Sequence, residues 1–333
     1  MRRPLVLIAL IALLALGAVA CGSDGPSADG GKPNVVTTVS PITNIAQNVG
    51  GDRITITGIV PEGENSHEFE PAPSDARVLA EADIVFINGL HLEEPTLELA
   101  ESNVRDGVEI VQLGDRTISP AEYIYDFSFP KAVGDPNPHL WTNPVYAKRY
   151  AEIIREELTA LDPEGADTFE TNYEAFAARI DALDAAVRSA TETVPAANRK
   201  LLTYHDSFPY FAREYGWSIV GAIQPSDFSE PSAREVADLI GQIRRENVPA
   251  IFGSEVFPSP VLQQIAKETG ARYVDDLRDD DLPGSSGGPS HSYLGLMVFD
   301  YKTIVGALGG NASAFDAIDV SNVAGDGSAT YRG

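Results

Sequence analysis

The chain has 333 residues, of which 49 are acidic and 24 are Lys or Arg, so its formal net charge is −25 at pH 7. A surface of that charge repels nucleic acid and anionic lipid head groups, and neither is expected as a partner. The single cysteine excludes an intrachain disulfide, so the fold must rest on ordinary packing, for which the chain is long enough.

The first twenty residues have the pattern of a secretory signal peptide. Two arginines precede an apolar run over 5–16 that is too short to span a bilayer comfortably. Small residues then lead to Cys21, an arrangement that resembles a bacterial lipobox and implies cleavage before Cys21 and lipidation of its thiol. The alternatives are a plain secretory signal or an uncleaved anchor. Residues 21–33 are rich in Gly, Ser and Asp, which predicts a flexible tether.

Residues 34–162 have the alternating pattern of a first α/β lobe. Runs of β-branched or continuously apolar residues predict strands at 34–39, 52–60, 83–89 and 109–113. Helical patterns occur at 41–49, 75–82, 95–102 and 144–160. Strands and helices that alternate at this length are typical of a parallel sheet covered by helices.

A long helix is predicted next, within a linking segment over 163–195. Its apolar residues are spaced by four or three positions, which is the period of one helix face. They are Phe169, Tyr173, Phe176, Ile180, Leu183 and Val187. A helix of about thirty residues is about 45 Å long. A coiled coil is the alternative, but a single stripe of under four heptads supports it poorly.

Residues 196–310 repeat the alternating pattern and predict a second lobe. The predicted strands lie at 200–204, 218–223, 250–252 and 271–274. The predicted helices lie at 208–215, 233–246, 260–269 and 293–308. The remaining segment, 311–333, is rich in Gly, Ser and Asn and is predicted to be a disordered tail. The fold class is therefore α/β, with two βα lobes of parallel sheets joined by one long helix.

Three of the five histidines have distinctive surroundings. His67 and His205 each follow a predicted strand, and His139 lies in a segment fenced by three prolines, NPHLWTNP with Pro136 before it. Since ligands bind beyond the carboxyl ends of strands in open α/β sheets, these imidazoles are expected to meet in the cleft between the lobes. An acid that follows the last predicted strand, such as Asp275, would complete a metal site there.

Several sequence blocks together resemble the solute-binding lipoproteins of ABC transporters for zinc or manganese. The blocks are SHEFEPAPSD (66–75), NGL (88–90), PHLWTNP (138–144), YHDSFPYF (204–211) and YVDDL (273–277). The resemblance covers about 34–308. It implies that the metal ligands are His67, His139, His205 and Asp275, that a membrane ABC permease is the partner, and that a lipid anchor holds the protein on the extracytoplasmic face. A monomer is expected.

Three imidazoles and one carboxylate form a four-coordinate site that suits Zn²⁺, with Mn²⁺ as the alternative because added carboxylate favours it. Alignment of YVDDL with the family favours Asp275, but other acids up to Asp281 stay open as the fourth ligand. Acceptors for the second ring nitrogens would be Glu68, Asp206 or Glu255. His91 and His291 are expected to lie at the surface.

Two other functions fit a metal-binding secreted chain. A zinc hydrolase needs an open metal position and a nearby base. A fourth protein ligand would close that position, and the sequence has no His-Glu-x-x-His motif. An adhesin or metal-sequestering protein on the same fold cannot be separated from a transport protein by sequence. Capture and delivery of a metal ion, without catalysis, is therefore the leading hypothesis.

Overall fold

The computed structural model describes residues 31–224, 231–254, 259–324 and 329–331. The predicted signal peptide and Cys21 lie outside these ranges. Among the residues so described, no helix combines the length and apolar character that a membrane crossing requires.

The described residues form two parallel sheets and the helices that cover them. The strands are β1 (Asn34–Thr37), β2 (Thr55–Gly58), β3 (Ile84–Ile87), β4 (Glu109–Gln112), β5 (Lys200–Thr203), β6 (Ser218–Ala222), β7 (Ala250–Ser254), β8 (Arg272–Leu277) and β9 (Thr330–Tyr331). The helices are α1 (Ser40–Gly50), α2 (Asp75–Glu81), α3 (Glu94–Asn103), α4 (Leu113–Thr117), α5 (Pro144–Leu161), α6 (Ala166–Thr193), α7 (Pro209–Tyr215), α8 (Ala233–Glu246), α9 (Pro260–Thr269) and α10 (Tyr293–Ala307).

The first lobe contains a five-stranded sheet in the order β4-β3-β1-β2-β9, and the second contains a four-stranded sheet in the order β6-β5-β7-β8. Neighbouring strands are parallel throughout both sheets. Because all strands in a sheet point the same way, the loops that follow them emerge at one edge. The predicted fold of two parallel α/β lobes is confirmed.

Helix α6 lies between the two sheets in the sequence and carries the predicted apolar stripe. Phe169, Phe176, Ile180, Leu183 and Val187 are buried along it, and Tyr173 is half-buried. The same apolar cluster includes residues of both lobes, so one continuous core joins them through this helix. That core gives the two halves of the cleft a common frame.

The predicted disordered tail is corrected by the structure. Over its described residues, the segment 311–333 forms a short 3₁₀ helix at Ser313–Ala317 and then strand β9 beside β2. On the way, the side chain of Asn322 accepts hydrogen bonds from Asn44 and Asn48 of α1 at 3.1 and 3.0 Å. Asp319 forms an ion pair of 2.8 Å with Arg179 of α6. The described part of this segment is thus bound to the first lobe and to α6.

Candidate metal centre

His67, His139 and His205 are positioned by three different loops. His67 lies in the loop after β2, and His205 lies two residues after the end of β5. His139 precedes a 3₁₀ turn at Leu140–Thr142, after which Asn143 caps α5 by accepting a hydrogen bond from the backbone of Val145. A side-chain oxygen at this N-cap position fixes where α5 begins.

The structure brings these three imidazoles together. The Nε2 atoms of His139 and His205 are 2.9 Å apart, and the Nε2 atom of His67 lies 3.1 Å from that of His139 and 3.2 Å from that of His205. His139 and His205 are 0% and 2% exposed. An ion bonded to nitrogen at about 2.0–2.1 Å can contact all three atoms of such a triangle.

Asn137 determines which ring nitrogen of His139 carries the proton. Its Oδ1 atom accepts from the backbone N–H of His139 at 3.1 Å and lies 2.9 Å from the Nδ1 atom of the same residue. Since a backbone N–H can only donate, Oδ1 is an acceptor, and the Nδ1 atom must donate to it. The Nε2 atom of neutral His139 therefore presents a bare lone pair to the other imidazoles.

Gln224 has the same relation to His205. Gln224 lies two residues after strand β6, and its Oε1 atom is 2.8 Å from the Nδ1 atom of His205. The N–H at Nδ1 donates to this amide oxygen, which leaves the Nε2 atom of His205 bare as well. Neither amide was singled out by the sequence, and the only signal was the Asn-Pro-His spacing for Asn137.

Two carboxylates lie beside the imidazoles, Asp279 and Asp280. Ligand atoms of His139, Asp279 and Asp280 all lie within 4.8 Å of one another. The Oδ2 atom of Asp279 is 3.6 Å from the Nε2 atom of His205. The Oδ1 atom of Asp280 is buried without a hydrogen-bond partner in the described part of the chain. A buried oxygen of this kind is a natural ligand for a cation.

The structure places Asp279 and Asp280, rather than Asp275, beside these imidazoles. Asp275 lies within strand β8 with an exposed side chain. Strand β8 extends to Leu277, three residues beyond the predicted end at 274. The loop that points into the cleft therefore begins later, and the acids that it places beside His139 are Asp279 and Asp280.

Both lobes hold in place the loop after β8, which contains Asp279 and Asp280. The Nε1 atom of Trp141 donates to the backbone oxygen of Asp279 at 2.9 Å, and Trp141 packs against His139 with ring centroids 5.1 Å apart. The Ser66 hydroxyl donates to the Oδ2 atom of Asp280, and the Ser40 hydroxyl donates to its backbone oxygen. From the second lobe, the Ser254 hydroxyl donates to the Oδ1 atom of Asp279 at 3.1 Å.

Burial shifts the pKa values of the imidazoles and the carboxyl groups in opposite directions. Loss of solvation lowers the pKa of His67 and of His139 well below 6.5, and the neighbouring imidazoles lower both further. Burial also lowers the pKa of His205. For Asp279, burial and then repulsion by Asp281 raise the pKa to about 7. For Asp280, burial and then repulsion by Asp279 raise it to about 7. Near neutral pH the imidazoles are therefore uncharged, as metal binding requires.

The predicted outer acceptors and the other histidines have different environments. Glu68 accepts from the side chain of Asn65 at 2.7 Å. Asp206 accepts from the backbone of Ser128, and Glu255 lies outside the described residues. His91 is exposed as expected and pairs with Glu94. His291 was expected at the surface but is only 7% exposed, with its Nε2 atom 3.2 Å from a Glu62 oxygen.

Comparison with known families gives one match over most of the chain. The model of the ZnuA family, described as the periplasmic component A of zinc-uptake complexes, matches residues 35–307. Those residues contain every side chain discussed above as a possible ligand.

Curated relatives cover nearly the whole chain. The zinc-binding protein TroA of Treponema pallidum is 32% identical over 305 residues, which are 89% of this chain and 96% of TroA. The manganese-binding lipoprotein MntA of Halalkalibacterium halodurans is 28% identical over 302 residues, 90% of this chain and 97% of MntA. The iron-binding protein YfeA of Yersinia pestis is 32% identical over 303 residues, 91% and 94% of the two chains.

Solved structures have the same architecture. The periplasmic zinc-binding protein TroA of Treponema pallidum superimposes with a TM-score of 0.75 at 29% identity, covering 84% of this chain and 99% of that one. The manganese-bound periplasmic metal-binding protein of Candidatus Liberibacter asiaticus superimposes with a TM-score of 0.73 at 28% identity, covering 83% and 100%. These structures share the fold of both lobes with this chain.

Proposed function

This chain belongs to the ZnuA family, and from that membership we propose that it captures Zn²⁺ outside the cytoplasm and delivers it to a membrane ABC permease. Its homologues are solute-binding proteins of metal ABC transporters, with names that specify zinc, manganese or iron. Members of this family are not enzymes, which excludes the secreted zinc hydrolase. An adhesin role on the same fold remains the alternative to delivery.

One observation carries the proposal of a metal site: two bare nitrogen lone pairs face each other at close range. The Nε2 atoms of His139 and His205 are 2.9 Å apart, and both Nδ1 protons are donated to amide oxygens. With both rings neutral, no proton lies between the two nitrogens, so the contact is repulsive. A divalent cation bonded to both lone pairs would convert this repulsion into coordination.

We propose that the ligands are His67, His139 and His205 with Asp280, Asp279 or both. The unpartnered Oδ1 atom of Asp280 supports Asp280 as a ligand, and the 3.6 Å distance from His205 supports Asp279. Zinc accepts such a set of nitrogen and oxygen donors. Manganese is the second candidate because two carboxylates, rather than the single predicted one, lie beside the imidazoles.

Capture would require the carboxyl groups to lose their protons. The raised pKa of about 7 means that Asp279 and Asp280 are partly protonated near neutral pH in the metal-free protein. A bound cation would stabilise both carboxylates and displace those protons. Metal binding and proton release are therefore coupled at this site.

The metal ion could be released by separation of the lobes, because each lobe supplies part of the site. His67 and His139 come from the first lobe, whereas His205, Asp279 and Asp280 come from the second. The backbone N–H of Gly63 also donates to Asp281 across the cleft at 2.8 Å. Separation of the lobes would therefore remove donors from the ion, and a permease that favours the separated form would promote delivery.

We propose that the protein is a monomer anchored at Cys21. Several curated relatives are lipoproteins by name, and Cys21 follows the predicted signal peptide. A lipid on this thiol would keep the protein at the extracytoplasmic face, close to its permease. Mass spectrometry of membrane-extracted protein should find a diacylglyceryl modification at Cys21, and an unmodified cysteine would contradict the anchor.

Metal analysis of the purified protein, followed by competition titration of Zn²⁺ against Mn²⁺, tests the proposed cargo. We expect one ion per chain and preference for zinc. Preference for manganese would replace the zinc assignment, and absence of binding to either ion would overturn the proposed function.

A further inference from the structure

Two amide side chains, Asn137 and Gln224, connect the imidazoles to the closed arrangement of the lobes. Each amide accepts the Nδ1 proton of a histidine in its own lobe. Each residue also forms a hydrogen bond to the opposite lobe. The two amides are distinct from the proposed metal ligands, because neither is expected to contact the ion.

Asn137 belongs to the first lobe. Its Oδ1 atom accepts from Nδ1 of His139, as described above, while its Nδ2 atom donates to the backbone oxygen of Asp206 at 2.6 Å. Asp206 directly follows His205 in the second lobe. Asn137 is 0% exposed, so water does not compete for either contact.

Gln224 belongs to the second lobe and mirrors this role. Its Oε1 atom accepts from Nδ1 of His205 at 2.8 Å, and its backbone N–H donates to the backbone oxygen of Tyr204 at 2.9 Å. Its backbone oxygen accepts from the hydroxyl of Ser128, in the first lobe, at 2.8 Å. Gln224 is 2% exposed. A contact with the other lobe thus helps to hold the backbone from which this amide extends.

We infer that Asn137 and Gln224 are positioning residues that hold His139 and His205 in the Nδ1–H tautomer. Because each residue also contacts the opposite lobe, this tautomer is favoured when the two lobes are in contact. An amide suits this role because it does not titrate, so the ring orientation is the same at every pH at which the imidazoles are neutral. When the lobes separate, Asn137 loses the Asp206 carbonyl and Gln224 loses the Ser128 hydroxyl. Asn137 keeps its contacts with the His139 backbone and with a carboxylate oxygen of Asp126, 3.3 Å from its Nδ2 atom. The orientation of His205 is therefore expected to loosen more than that of His139, and affinity in the open form falls because this ring loses its fixed orientation as well as its neighbours.

This inference rests on the proposed function, and Gln224 gives the sharper test. Gln224→Met keeps the length of the side chain but removes the acceptor, whereas Gln224→Glu keeps an acceptor at the same place. We expect Gln224→Met to weaken Zn²⁺ binding about 10- to 100-fold, as loss of an outer hydrogen bond to a metal-ligating histidine does. We expect Gln224→Glu to stay within about threefold of the wild type. The control is Gln264→Met on the exposed face of α9.

A second readout separates positioning from a general loss of structure. Two-bond ¹H–¹⁵N spectra of the metal-free protein at pH 8 distinguish a protonated ring nitrogen from a bare one. We expect His139 and His205 as Nδ1–H tautomers in the wild type and in Gln224→Glu. In Gln224→Met, His205 should become a mixture of tautomers while His139 stays unchanged, which serves as the internal control for folding.

The contact between lobes is tested by Ser128→Ala, which removes the hydroxyl that reaches Gln224. We expect weaker Zn²⁺ binding and mixed tautomers at His205. Unchanged tautomers and affinity in both Gln224→Met and Ser128→Ala, or equal impairment in Gln224→Met and Gln224→Glu, would overturn the inference. Failure of the wild-type protein to bind Zn²⁺ or Mn²⁺ would instead overturn the proposed function.

Discussion

The Nε2 atoms of His139 and His205 lie 2.9 Å apart although the two residues are 66 positions apart in sequence and belong to different lobes. Their Nδ1 atoms are both engaged by amide oxygens, so the facing nitrogens are bare. The metal-free arrangement is therefore already shaped for a cation. The predictions below follow from that arrangement and from the two carboxyl groups beside it.

Removal of one imidazole should abolish tight binding. We expect His205→Ala to lower the affinity for Zn²⁺ by at least about 100-fold, because it deletes a direct donor from a site of four or five. His91→Ala is the matched control, since His91 is exposed and pairs with Glu94. Competition titration with a zinc-sensitive dye measures both. Equal effects of the two substitutions would contradict the ligand assignment.

The carboxylate side of the site is tested by exchanging acids along one segment. We expect Asp280→Asn to weaken Zn²⁺ binding by at least about tenfold, because the amide removes a negative charge from the buried ligand set. Asp275→Asn should change affinity less than about twofold, since Asp275 is exposed within strand β8. Titration of both variants under the same conditions decides between them. A large loss for Asp275→Asn alone would restore the assignment based on the sequence.

The affinity for Zn²⁺ should depend on pH through the ionisation of Asp279 and Asp280. The pKa of Asp279 and of Asp280 is raised to about 7 in the metal-free protein, whereas those of the three histidines are lowered. Well above pH 7 both acids are ionised, so affinity reaches a plateau. Below pH 7 a proton must be displaced, so affinity should fall by up to about tenfold per pH unit for each proton released.

Calorimetry in buffers of different ionisation enthalpy measures this coupling. We expect proton release on Zn²⁺ binding to increase from pH 8 to pH 6. In the absence of metal, the raised pKa values mean that burying ionised Asp279 and Asp280 is unfavourable. The free energy of unfolding should therefore decrease as pH rises from the usual carboxyl pKa towards 7. Affinity that is constant between pH 8 and pH 6 would exclude this role for the two acids.

The C-terminal segment should stabilise the fold without taking part in binding. Asn322→Ala removes the acceptor of two amide groups on α1, Asn44 and Asn48, which are buried. We expect the free energy of unfolding to fall by about 1–3 kcal/mol because the buried donors lose a partner. Asn311→Ala, at an exposed position, is the control. Chemical denaturation measures both, and a wild-type midpoint for Asn322→Ala would show that the tail contacts contribute nothing.

Much of the fold could be predicted because its signals are local. Strands such as Ile84–Ile87 are continuously apolar, and the stripe from Phe169 to Val187 has a clear helical period. His67 and His205 could be placed near the cleft because each follows a strand of this kind. His139 was grouped with them because of its distinctive proline-rich segment, and the family resemblance supported the same grouping, but the prolines alone do not reveal what His139 contacts.

The errors arose where contacts are distant in sequence. Strand β9 pairs with β2 through residues such as Thr57 and Thr330, which are 273 positions apart, and its polar composition gives no local signal. Asp275 was expected just after a strand, but strand β8 continues past Val274 to Leu277, so the acids beside the imidazoles come later in the chain. The partners of the imidazoles, Asn137 and Gln224, depend on tertiary contacts that no spacing rule describes.

The most direct test of the metal site is anomalous diffraction at the zinc edge from crystals of the zinc-loaded protein. We expect one strong peak within about 2.0–2.2 Å of the Nε2 atoms of His67, His139 and His205 and of a carboxylate oxygen of Asp279 or Asp280. A peak that lacks these imidazoles, or one coordinated by Asp275 with Asp279 and Asp280 turned away, would contradict the account.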